Sequence, residues 1–292
     1  MGKNNTFLNF CLGTVQFGME YGLKNIKDKR VTIEEVEKIF DYFFSNDGIF
    51  VDTASNYGNS EEIISKFLPG NAKLISKYSI YKDTKNIIRE VENSLENLGI
   101  DELDTAMIHN PDALMQNADA LAILSEVKER GLCRNIGISI YSYSDISSSI
   151  NEISNLIDVI QIPGNAFDNR FFMEVEKRKK TLEEIRVDIR SIFLQGLLLQ
   201  DIQDSLELFP EFKIDLERWD DYCTRNNLSK MEACIWNTPD FKDSSTNKLF
   251  GCRSLKEIKE IFAAVSENFS YKEKFTPSSN INILDPRKWK QK

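Results

Sequence analysis

The segment Gly48-Ile-Phe-Val-Asp-Thr-Ala-Ser-Asn-Tyr-Gly-Asn-Ser-Glu61 is the part of the chain from which the fold can be inferred. Its first four residues, Gly48 to Val51, predict a short buried strand, and the polar residues after them predict a loop. A helix is predicted from about Ser60 to Leu68, ending at the stop signal Pro69-Gly70. A strand, a polar loop and a helix in this order make up one unit of an α/β protein.

The same unit recurs along the rest of the chain. Short apolar runs alternate with amphipathic stretches, and the first of these stretches begins at the N-cap Thr32. The further predicted strands span residues 73–77, 103–108, 134–140, 156–162, 189–193 and 248–250. The further predicted helices span residues 83–98, 118–130, 144–153, 169–180, 215–226, 229–236 and 254–264. Strands separated by helices predict parallel pairing.

The number of units favours a closed barrel. About eight of them fit a (β/α)8 TIM barrel, so we expect an α/β fold with residues 1–292 in a single domain. The alternative is an open doubly wound sheet, which usually carries a Gly-x-Gly-x-x-Gly turn after its first strand. The segment Leu12 to Gly18 has the wrong spacing for that turn.

Composition excludes several classes of function. A formal net charge of −9 repels phosphate backbones, so nucleic acid is not expected as a partner. The five cysteines are scattered without a Cys-x-x-Cys pair, which argues against a disulfide framework and against a metal site. Residues 1–10 contain no long apolar run, so we expect neither a signal peptide nor a membrane span. Free thiols then favour the cytoplasm.

Polar side chains follow three successive predicted strands, where barrel enzymes carry their chemistry. Asp52 and Tyr57 follow the first of these strands, Lys77 ends the second, and His109 follows the third. Each residue alone has an ordinary explanation, as a helix cap, a loop aromatic, a solvated strand end or a structural histidine. Because neighbouring strands lie roughly 4.8 Å apart, the four side chains are expected to converge. Their order on consecutive strand ends favours a functional site.

The four groups together suit proton transfer to a carbonyl oxygen. A free tyrosine has a pKa near ~10, and a lysine ammonium beside it lowers that pKa by favouring the phenolate. An aspartate beside the lysine keeps the ammonium charged and in place. A histidine donor can orient or polarise a carbonyl oxygen. The set predicts a general acid for carbonyl reduction, or a general base for the reverse oxidation.

The segment from Val51 to Glu61 resembles the Asp-Thr-Ala-x-x-Tyr-Gly-x-Ser-Glu signature of the aldo-keto reductase superfamily. Lys77 in Ile-Ser-Lys and His109 in Met-Ile-His are similar to the family's lysine and histidine. The resemblance runs over nearly the whole chain. It implies a catalytic tetrad of Asp52, Tyr57, Lys77 and His109.

The resemblance also implies a nicotinamide cofactor, NADPH, with NADH as the alternative. The residues in segments similar to the family's cofactor contacts are Gly13, Thr14, Asp52, Ser139, Gln161, Arg190, Ser191, Phe193, Gln195, Gly251, Arg253 and Glu260. Arg253 opens a late helix, whose amino terminus favours anions, and is the candidate ligand of a 2′-phosphate. The carboxylates of Glu257 and Glu260 nearby oppose a phosphate.

Three positions depart from the family's pattern. Ile140 replaces an asparagine that helps to hold the nicotinamide amide, and Ile261 replaces an asparagine that contacts adenine. Arg190 replaces an aromatic residue that stacks on the nicotinamide, and its flat guanidinium is expected to take over that stacking.

The substrate is expected to be a small carbonyl compound. Phe17 and Tyr21 in the first loop are the candidate pocket walls, beside Tyr57 and His109. The segment after Phe275 is short, and the resemblance implies that this leaves an open pocket for a polar or bulky substrate such as a sugar.

The leading hypothesis is an NAD(P)H-dependent oxidoreductase that reduces an aldehyde, ketone or sugar carbonyl, with Tyr57 as general acid. One alternative is a catalytically silent, nicotinamide-binding barrel that acts as a sensor or regulatory subunit. Another is an unrelated barrel lyase or isomerase that needs no nicotinamide. The sequence leaves the oligomeric state and the reaction direction open.

Overall fold

The computed structural model describes eight ranges of the chain, which are residues 7–23, 31–79, 86–110, 119–141, 157–177, 185–240, 246–267 and 272–289. Eight parallel strands form a closed barrel. In chain order these strands are β1 (Phe10–Gly13), β2 (Phe50–Asp52), β3 (Lys73–Tyr78), β4 (Leu103–Ile108), β5 (Cys133–Ser139), β6 (Val159–Pro163), β7 (Arg186–Arg190) and β8 (Thr246–Gly251).

Helices follow the strands and surround the barrel. The α-helices are α1 (Val15–Gly18), α2 (Ile33–Ser45), α3 (Ser60–Ile64), α4 (Asn86–Leu98), α5 (Asp119–Glu129), α6 (Arg170–Lys177), α7 (Ile202–Leu208), α8 (Lys213–Asn226), α9 (Lys230–Asn237), α10 (Leu255–Ser266) and α11 (Ile281–Leu284). Short 3-10 turns span Ser65–Phe67, Leu194–Leu199, Pro210–Phe212 and Pro286–Lys288. Along these described residues, no helix is both long and apolar enough to cross a membrane.

The strand pairing confirms the expected (β/α)8 barrel and excludes the open doubly wound sheet. Each strand pairs in parallel with the next, and β8 closes the barrel on β1 with Phe10 opposite Lys248 and Gly13 opposite Gly251. The carboxyl ends of all eight strands therefore surround one opening. Side chains that follow these ends are brought together there, as the TIM-barrel architecture requires.

Most predicted elements are present with boundaries displaced by a few residues, but the prediction for the seventh strand was wrong. That strand was placed at 189–193, whereas β7 spans Arg186–Arg190. The predicted start at residue 189 left Arg186 and Asp188 outside the strand. Both lie on the inward face of the barrel, where other polar groups compensate their charges. The helix predicted at 144–153 lies outside the described residues.

Apolar residues pack in two separate clusters. The larger cluster lies between the barrel and its helices, where α2 contributes the fully buried Val36, Ile39, Phe40 and Phe43. A smaller cluster of inward-facing residues fills the middle of the barrel: Cys11, Phe50, Ile75, Met107 and Val159. All five cysteines are buried free thiols. The barrel is therefore a packed core rather than a channel.

An ionic network lies inside the barrel beside this apolar cluster. Arg186 donates to Asp104 Oδ2 at 2.9 Å, and its Nε lies 3.2 Å from Asp188 Oδ1. Asn247 donates to the same Asp188 oxygen at 2.9 Å, and the guanidinium carbon lies 4.9 Å from the centre of the Phe50 ring. Burial raises the pKa of Asp188 to about 6, although Arg186 acts in the opposite direction. Arg186 is the cation that two buried carboxylates share.

Replacing Arg186 with methionine is expected to destabilise the barrel strongly. The variant would leave two buried carboxylates without their cation, which typically costs about 3–5 kcal/mol of unfolding free energy. Urea denaturation followed by circular dichroism measures this loss. The deficit should shrink as pH falls towards about 6, because loss of Arg186 raises the pKa of Asp188 further and the variant takes up a proton there while the parent is still ionised.

Arg134 offers a matched control, because it pairs with Glu102 on the surface and is 68% exposed. Arg134→Met removes the same side chain from an exposed ion pair and should leave the unfolding midpoint close to that of the parent. Equal midpoints for the two variants would contradict a stabilising role for the buried network.

Candidate active site

A buried ion pair lies at the carboxyl ends of β2 and β3. The Lys77 ammonium contacts Asp52 Oδ1 and also donates to the backbone carbonyl of Thr53 at 3.0 Å. Both charged side chains are only 2% exposed. Burial lowers the pKa of Lys77, but the charge and hydrogen bond of Asp52, together with Tyr57 and Tyr141, outweigh it and the pKa lies above its usual value. The ammonium is therefore charged at all physiological pH values.

Tyr57 lies beside this pair, on the loop that connects β2 to α3. The Lys77 ammonium is 5.2 Å from the centre of the Tyr57 ring. Two glycines hold the loop against α1. A Cβ on Gly18 would lie 1.9 Å from the Tyr57 carbonyl oxygen, and Gly58 has a φ of +60°, which favours glycine. The Tyr-Gly sequence therefore fixes where the phenol projects.

His109 completes the group that the sequence predicted. Its backbone N–H donates to the Tyr78 carbonyl at 2.9 Å, which continues the β3–β4 pairing beyond Ile108. The imidazole lies edge-on to Tyr57, with ring centres 5.9 Å apart. Its Nδ1 is buried and has no hydrogen-bond partner among the described residues. The structure thus brings all four predicted side chains to one end of the barrel.

Burial dominates the proton affinities of the two ring systems. It raises the pKa of Tyr57 to about 12, although the positive charge of Lys77 acts in the opposite direction. Burial also lowers the pKa of His109 to about 3, and the charges of Lys77 and Arg190 add to that effect. At neutral pH the phenol therefore keeps its proton and the imidazole is neutral.

Two of the predicted cofactor residues support this group from across the barrel. Gln161 in β6 donates from Nε2 to Asp52 Oδ2 at 3.0 Å. Ser139 at the end of β5 is fully buried and donates to Gln161 Oε1 at 3.5 Å. A chain of polar contacts therefore runs from β5 through β6 to Asp52 and on to Lys77. It holds the free oxygen of Asp52 and the amide of Gln161 in fixed orientations.

The loop after β7 has an unusual backbone. Ser191, Leu194 and Gln195 adopt the left-handed region with φ values of 63°, 48° and 55°. Such conformations cost roughly 1–3 kcal/mol each in residues other than glycine and are found mainly at functional sites. Asn165 anchors the loop by donating to the Ser191 carbonyl at 3.2 Å. The loop predicted to hold the cofactor is thus strained and tied down.

A second ion pair lies in the cavity wall, at the start of α10. Arg253 donates from Nη2 to Glu257 Oε1 at 3.3 Å, and its backbone N–H donates to Glu257 Oε2 at 2.7 Å. Lys256 lies 3.7 Å from Glu260, one turn further on. Glu257, which opposed a phosphate on sequence grounds, therefore pairs directly with the candidate phosphate ligand.

One cavity of about 800 Å³ joins these regions, a size typical of small-molecule sites. The tetrad lines it, as do these predicted cofactor residues: Gly13, Thr14, Asp52, Gln161, Arg190, Ser191, Phe193, Gln195, Gly251, Arg253 and Glu260. Its wall also includes Gln16, whose Oε1 is buried without a hydrogen-bond partner in the described parts of the chain. The cavity thus carries both cationic and amide side chains, the kinds of group that can bind the phosphates and the amide of a nicotinamide dinucleotide.

Two expectations about the substrate walls differ from the structure. Tyr21 lines the cavity, but Phe17 does not, because it is buried 6.0 Å from the ring of Phe40. The segment after Phe275 was expected to leave the pocket open. Instead, residues Ile281 to Lys288 form part of its wall, and Arg287 donates to the Tyr141 carbonyl at 3.3 Å.

Sequence reasoning missed several polar side chains in this cavity, among them Gln16, Tyr141 and Arg287. Tyr141 could have been found, because it follows β5 in the same way that His109 follows β4. Nothing in the local sequence places Arg287 there, since it reaches the cavity only through the path of the final segment.

Comparisons with known proteins agree with this geometry. The sequence model described as "Aldo/keto reductase family" matches residues 9–275. Aldo-keto reductase YhdN of Bacillus subtilis is 30% identical over 159 residues, which are 48% of this chain and 46% of that protein. The match therefore spans about half the length of that relative. An NAD/NADP-dependent indole-3-acetaldehyde reductase of Schizosaccharomyces pombe is 25% identical over 74% of each chain.

The fold also matches that of a solved structure. The glycerol dehydrogenase AKR11B4 of Gluconobacter oxydans superposes with a TM-score of 0.66 at 20% identity, over 89% of this chain and 86% of that one. This likeness concerns the fold alone. Because the family's sequence model covers nearly the whole length, the chain belongs to the aldo/keto reductase family.

Proposed function

We propose that this protein reduces an aldehyde, ketone or sugar carbonyl to an alcohol with NAD(P)H, and that Tyr57 is the general acid. Members of the family generally use nicotinamide cofactors. The observation that carries the proposal is the contact of a protonated, half-buried tyrosine with both an ammonium and a neutral imidazole. We also propose that the chain acts as a single domain in the cytoplasm.

The residues divide the work as follows. When bound, the reduced nicotinamide supplies the hydride that goes to the carbonyl carbon. Tyr57 donates its proton to the carbonyl oxygen, and neutral His109 donates a hydrogen bond to the same oxygen. Lys77 stabilises the phenolate that remains on Tyr57, and Asp52 keeps Lys77 in place. Burial keeps water from Asp52 and Lys77.

The proton affinity of Tyr57 suits this direction of the reaction. A pKa of about 12 keeps the phenol fully protonated before reduction. Lys77 opposes the effect of burial on that pKa, so it eases loss of the proton at the moment of transfer. Removing the charge of Lys77 or of Asp52 should therefore move the pH profile of the reaction. The direction of the movement follows from the sign of the charge that is removed.

Tyr57→Phe is expected to abolish most of the activity, because it removes the acid and keeps the ring. The loss in kcat should be about 10²–10⁴-fold or more, with little change in cofactor affinity. Steady-state reduction of an aldehyde panel, followed at 340 nm, measures the first quantity, and a fluorescence titration with NADPH measures the second. Tyr42→Phe is the matched control, because Tyr42 packs against Phe262 away from the cavity.

Near-parental turnover in Tyr57→Phe would overturn the assignment of the acid. A parent protein that binds NADPH but reduces no carbonyl in the panel would instead support the silent, regulatory barrel.

Lys77→Met and Asp52→Asn should move the pH profile of alcohol oxidation in opposite directions. Oxidation requires deprotonated Tyr57, so its rate rises as pH approaches the pKa of that residue. Without the positive charge of Lys77 that pKa rises, and the limb moves to higher pH. The negative charge of Asp52 raises the pKa of Tyr57, so its removal moves the limb to lower pH. Circular dichroism must first establish that both variants are folded.

A profile that moves in neither variant would mean that the pair does not tune the phenol. Movement in the same direction in both would mean that Asp52 acts only by holding Lys77.

We propose NADPH as the preferred cofactor, with Arg253 as the ligand of its 2′-phosphate. Arg253 opens α10, where Ser254 caps the helix by accepting from the Glu257 N–H at 3.1 Å. The pairing of Arg253 with Glu257 opposes phosphate binding, because separating the two side chains costs part of the binding free energy of the phosphate. The strength of this ion pair therefore sets the discrimination between the two cofactors.

Arg253→Ala should weaken NADPH binding about ten- to a hundredfold, as expected for a lost charge-assisted contact, and leave NADH almost unchanged. Glu257→Gln should strengthen NADPH binding severalfold, because Arg253 loses its competing partner while the backbone N–H keeps an acceptor. Fluorescence titrations of each variant, compared with the parent, measure the dissociation constants of NADPH and NADH. Equal losses for NADPH and NADH in Arg253→Ala, or no loss for either, would rule out Arg253 as the phosphate ligand.

A further inference from the structure

The cavity carries a surplus of positive charge, although the whole chain has a net charge of −9. Each carboxylate in its wall has a basic partner within 4.0 Å. The pairs are Asp52–Lys77, Asp168–Arg170, Glu257–Arg253, Glu260–Lys256 and Asp285–Arg287. The cavity's acidic groups are therefore neutralised, and cations without an acidic partner determine its sign.

Arg190 is such a cation, and it lies inside the cavity at the end of β7. Its Nη2 donates to the Ile140 carbonyl at 2.8 Å, and its Nη1 donates to Ser191 Oγ at 3.2 Å. Among the described residues no carboxylate lies within 4.0 Å of it, and its buried Nε has no acceptor. Its contacts are neutral, so they orient the guanidinium without balancing its charge.

The position of Arg190 relative to the tetrad follows from a row of aromatic contacts. Its guanidinium carbon lies 4.1 Å from the centre of the Tyr141 ring. The same ring lies 6.1 Å from that of His109, which in turn contacts Tyr57. Arg190 is close enough for its charge to help keep His109 neutral. Arg190 is therefore connected to Tyr57 through Tyr141 and His109, and it lies on the His109 side of the proton donor Tyr57.

A second arginine, Arg287, contacts Tyr141. Arg287 lies 5.1 Å from the Tyr141 ring centre and donates to the Tyr141 carbonyl at 3.3 Å. Its charge is balanced by two hydrogen bonds of 2.9 Å to the carboxylate of Asp285. Arg287 therefore positions Tyr141, whereas Arg190 supplies uncompensated charge.

We propose that Arg190 binds an anionic group of the substrate, so that the preferred substrates are carbonyl compounds bearing a carboxylate or a phosphate. This inference rests on the proposed function, because the carbonyl must bind at Tyr57 and His109. Arginine presents several N–H donors in one plane, which suits both kinds of oxyanion. With the carbonyl oxygen at Tyr57, an acidic group further along the molecule would meet Arg190.

This assignment differs from the nicotinamide stacking expected for Arg190. Stacking needs the flat face of the guanidinium, and Tyr141 covers one such face at 4.1 Å. Anion binding needs N–H groups, and the two hydrogen bonds of Arg190 use only one N–H on each Nη nitrogen. Each Nη therefore keeps a second N–H, and these donors belong to a residue in the cavity wall. The two roles are separable by measuring cofactor affinity.

The experiment compares matched pairs of substrates that differ in charge. Succinic semialdehyde with butanal tests a carboxylate, and glyceraldehyde 3-phosphate with glyceraldehyde tests a phosphate. We expect kcat/KM to favour an anionic member by about ten- to a hundredfold, as for a charge-assisted hydrogen bond. Arg190→Met, which keeps an unbranched side chain against Tyr141, should reduce that ratio to near one. The pair that shows the preference identifies which oxyanion is recognised.

Lys288→Met is the matched control, because it removes an equal charge from an exposed residue in the cavity wall. Solvent screens that charge, so the ratio should stay within about twofold of the parental one. A similar fall in both variants would mean general electrostatic attraction and would overturn a binding role for Arg190.

The remaining outcomes separate this inference from the proposed function. A parent that reduces neutral and anionic aldehydes equally well retains the proposed function and contradicts the anion site. A fall in NADPH affinity in Arg190→Met, with the substrate ratio unchanged, would assign Arg190 to the cofactor and overturn the inference. A parent that reduces no member of either pair contradicts both.

Discussion

The contact between Lys77 and Asp52 is the interaction on which the rest of the site depends. Two charges that are 2% exposed persist only as a pair, since removing one partner of a buried ion pair typically costs about 3–5 kcal/mol. The pair joins the ends of β2 and β3, and Gln161 ties it to β6 across the barrel. The same ammonium lowers the pKa of Tyr57, against the larger effect of burial. One ion pair therefore contributes both to the order of the site and to the acid strength of the phenol.

The barrel interior repeats this arrangement in layers. One ionic cluster surrounds Arg186, an apolar layer fills the middle, and the Lys77 layer lies at the carboxyl ends of the strands. Each ionic layer contains a largely buried cation paired with buried carboxylate groups: Lys77 pairs with Asp52 of the neighbouring strand, and Arg186 pairs with Asp104 of β4 and Asp188 of its own strand. The apolar layer between them lowers the local dielectric, which strengthens both sets of charges. The walls of the site are thus rigid, and its chemistry rests on short loops fixed to them.

The sequence was sufficient to predict the fold class and the meeting of Asp52, Tyr57, Lys77 and His109 at one end of the barrel, because both follow from local patterns. Alternating apolar and amphipathic segments predicted the barrel, and the Asp-Thr-Ala-x-x-Tyr-Gly stretch fixed the order of the acidic and phenolic groups. Prediction from the sequence failed where the position of a residue depends on partners far away along the chain. The charged inward face of β7 resembled a loop, because Asp104, the partner of Arg186, lies 82 residues away. Phe17 faces Phe40 rather than the cavity for the same kind of reason. The path of the final segment over the opening follows from tertiary contacts alone.

The left-handed residues after β7 carry a consequence for engineering. Glycine tolerates positive φ, so replacing Leu194 or Gln195 with glycine would relieve backbone strain in the resting protein. Leu194 is buried, so there the lost packing would offset the gain, whereas Gln195 is only half-buried and offers the cleaner case. A glycine would also widen the range of shapes open to the loop. Selection for thermal stability and selection for substrate turnover would then favour different residues at the same position.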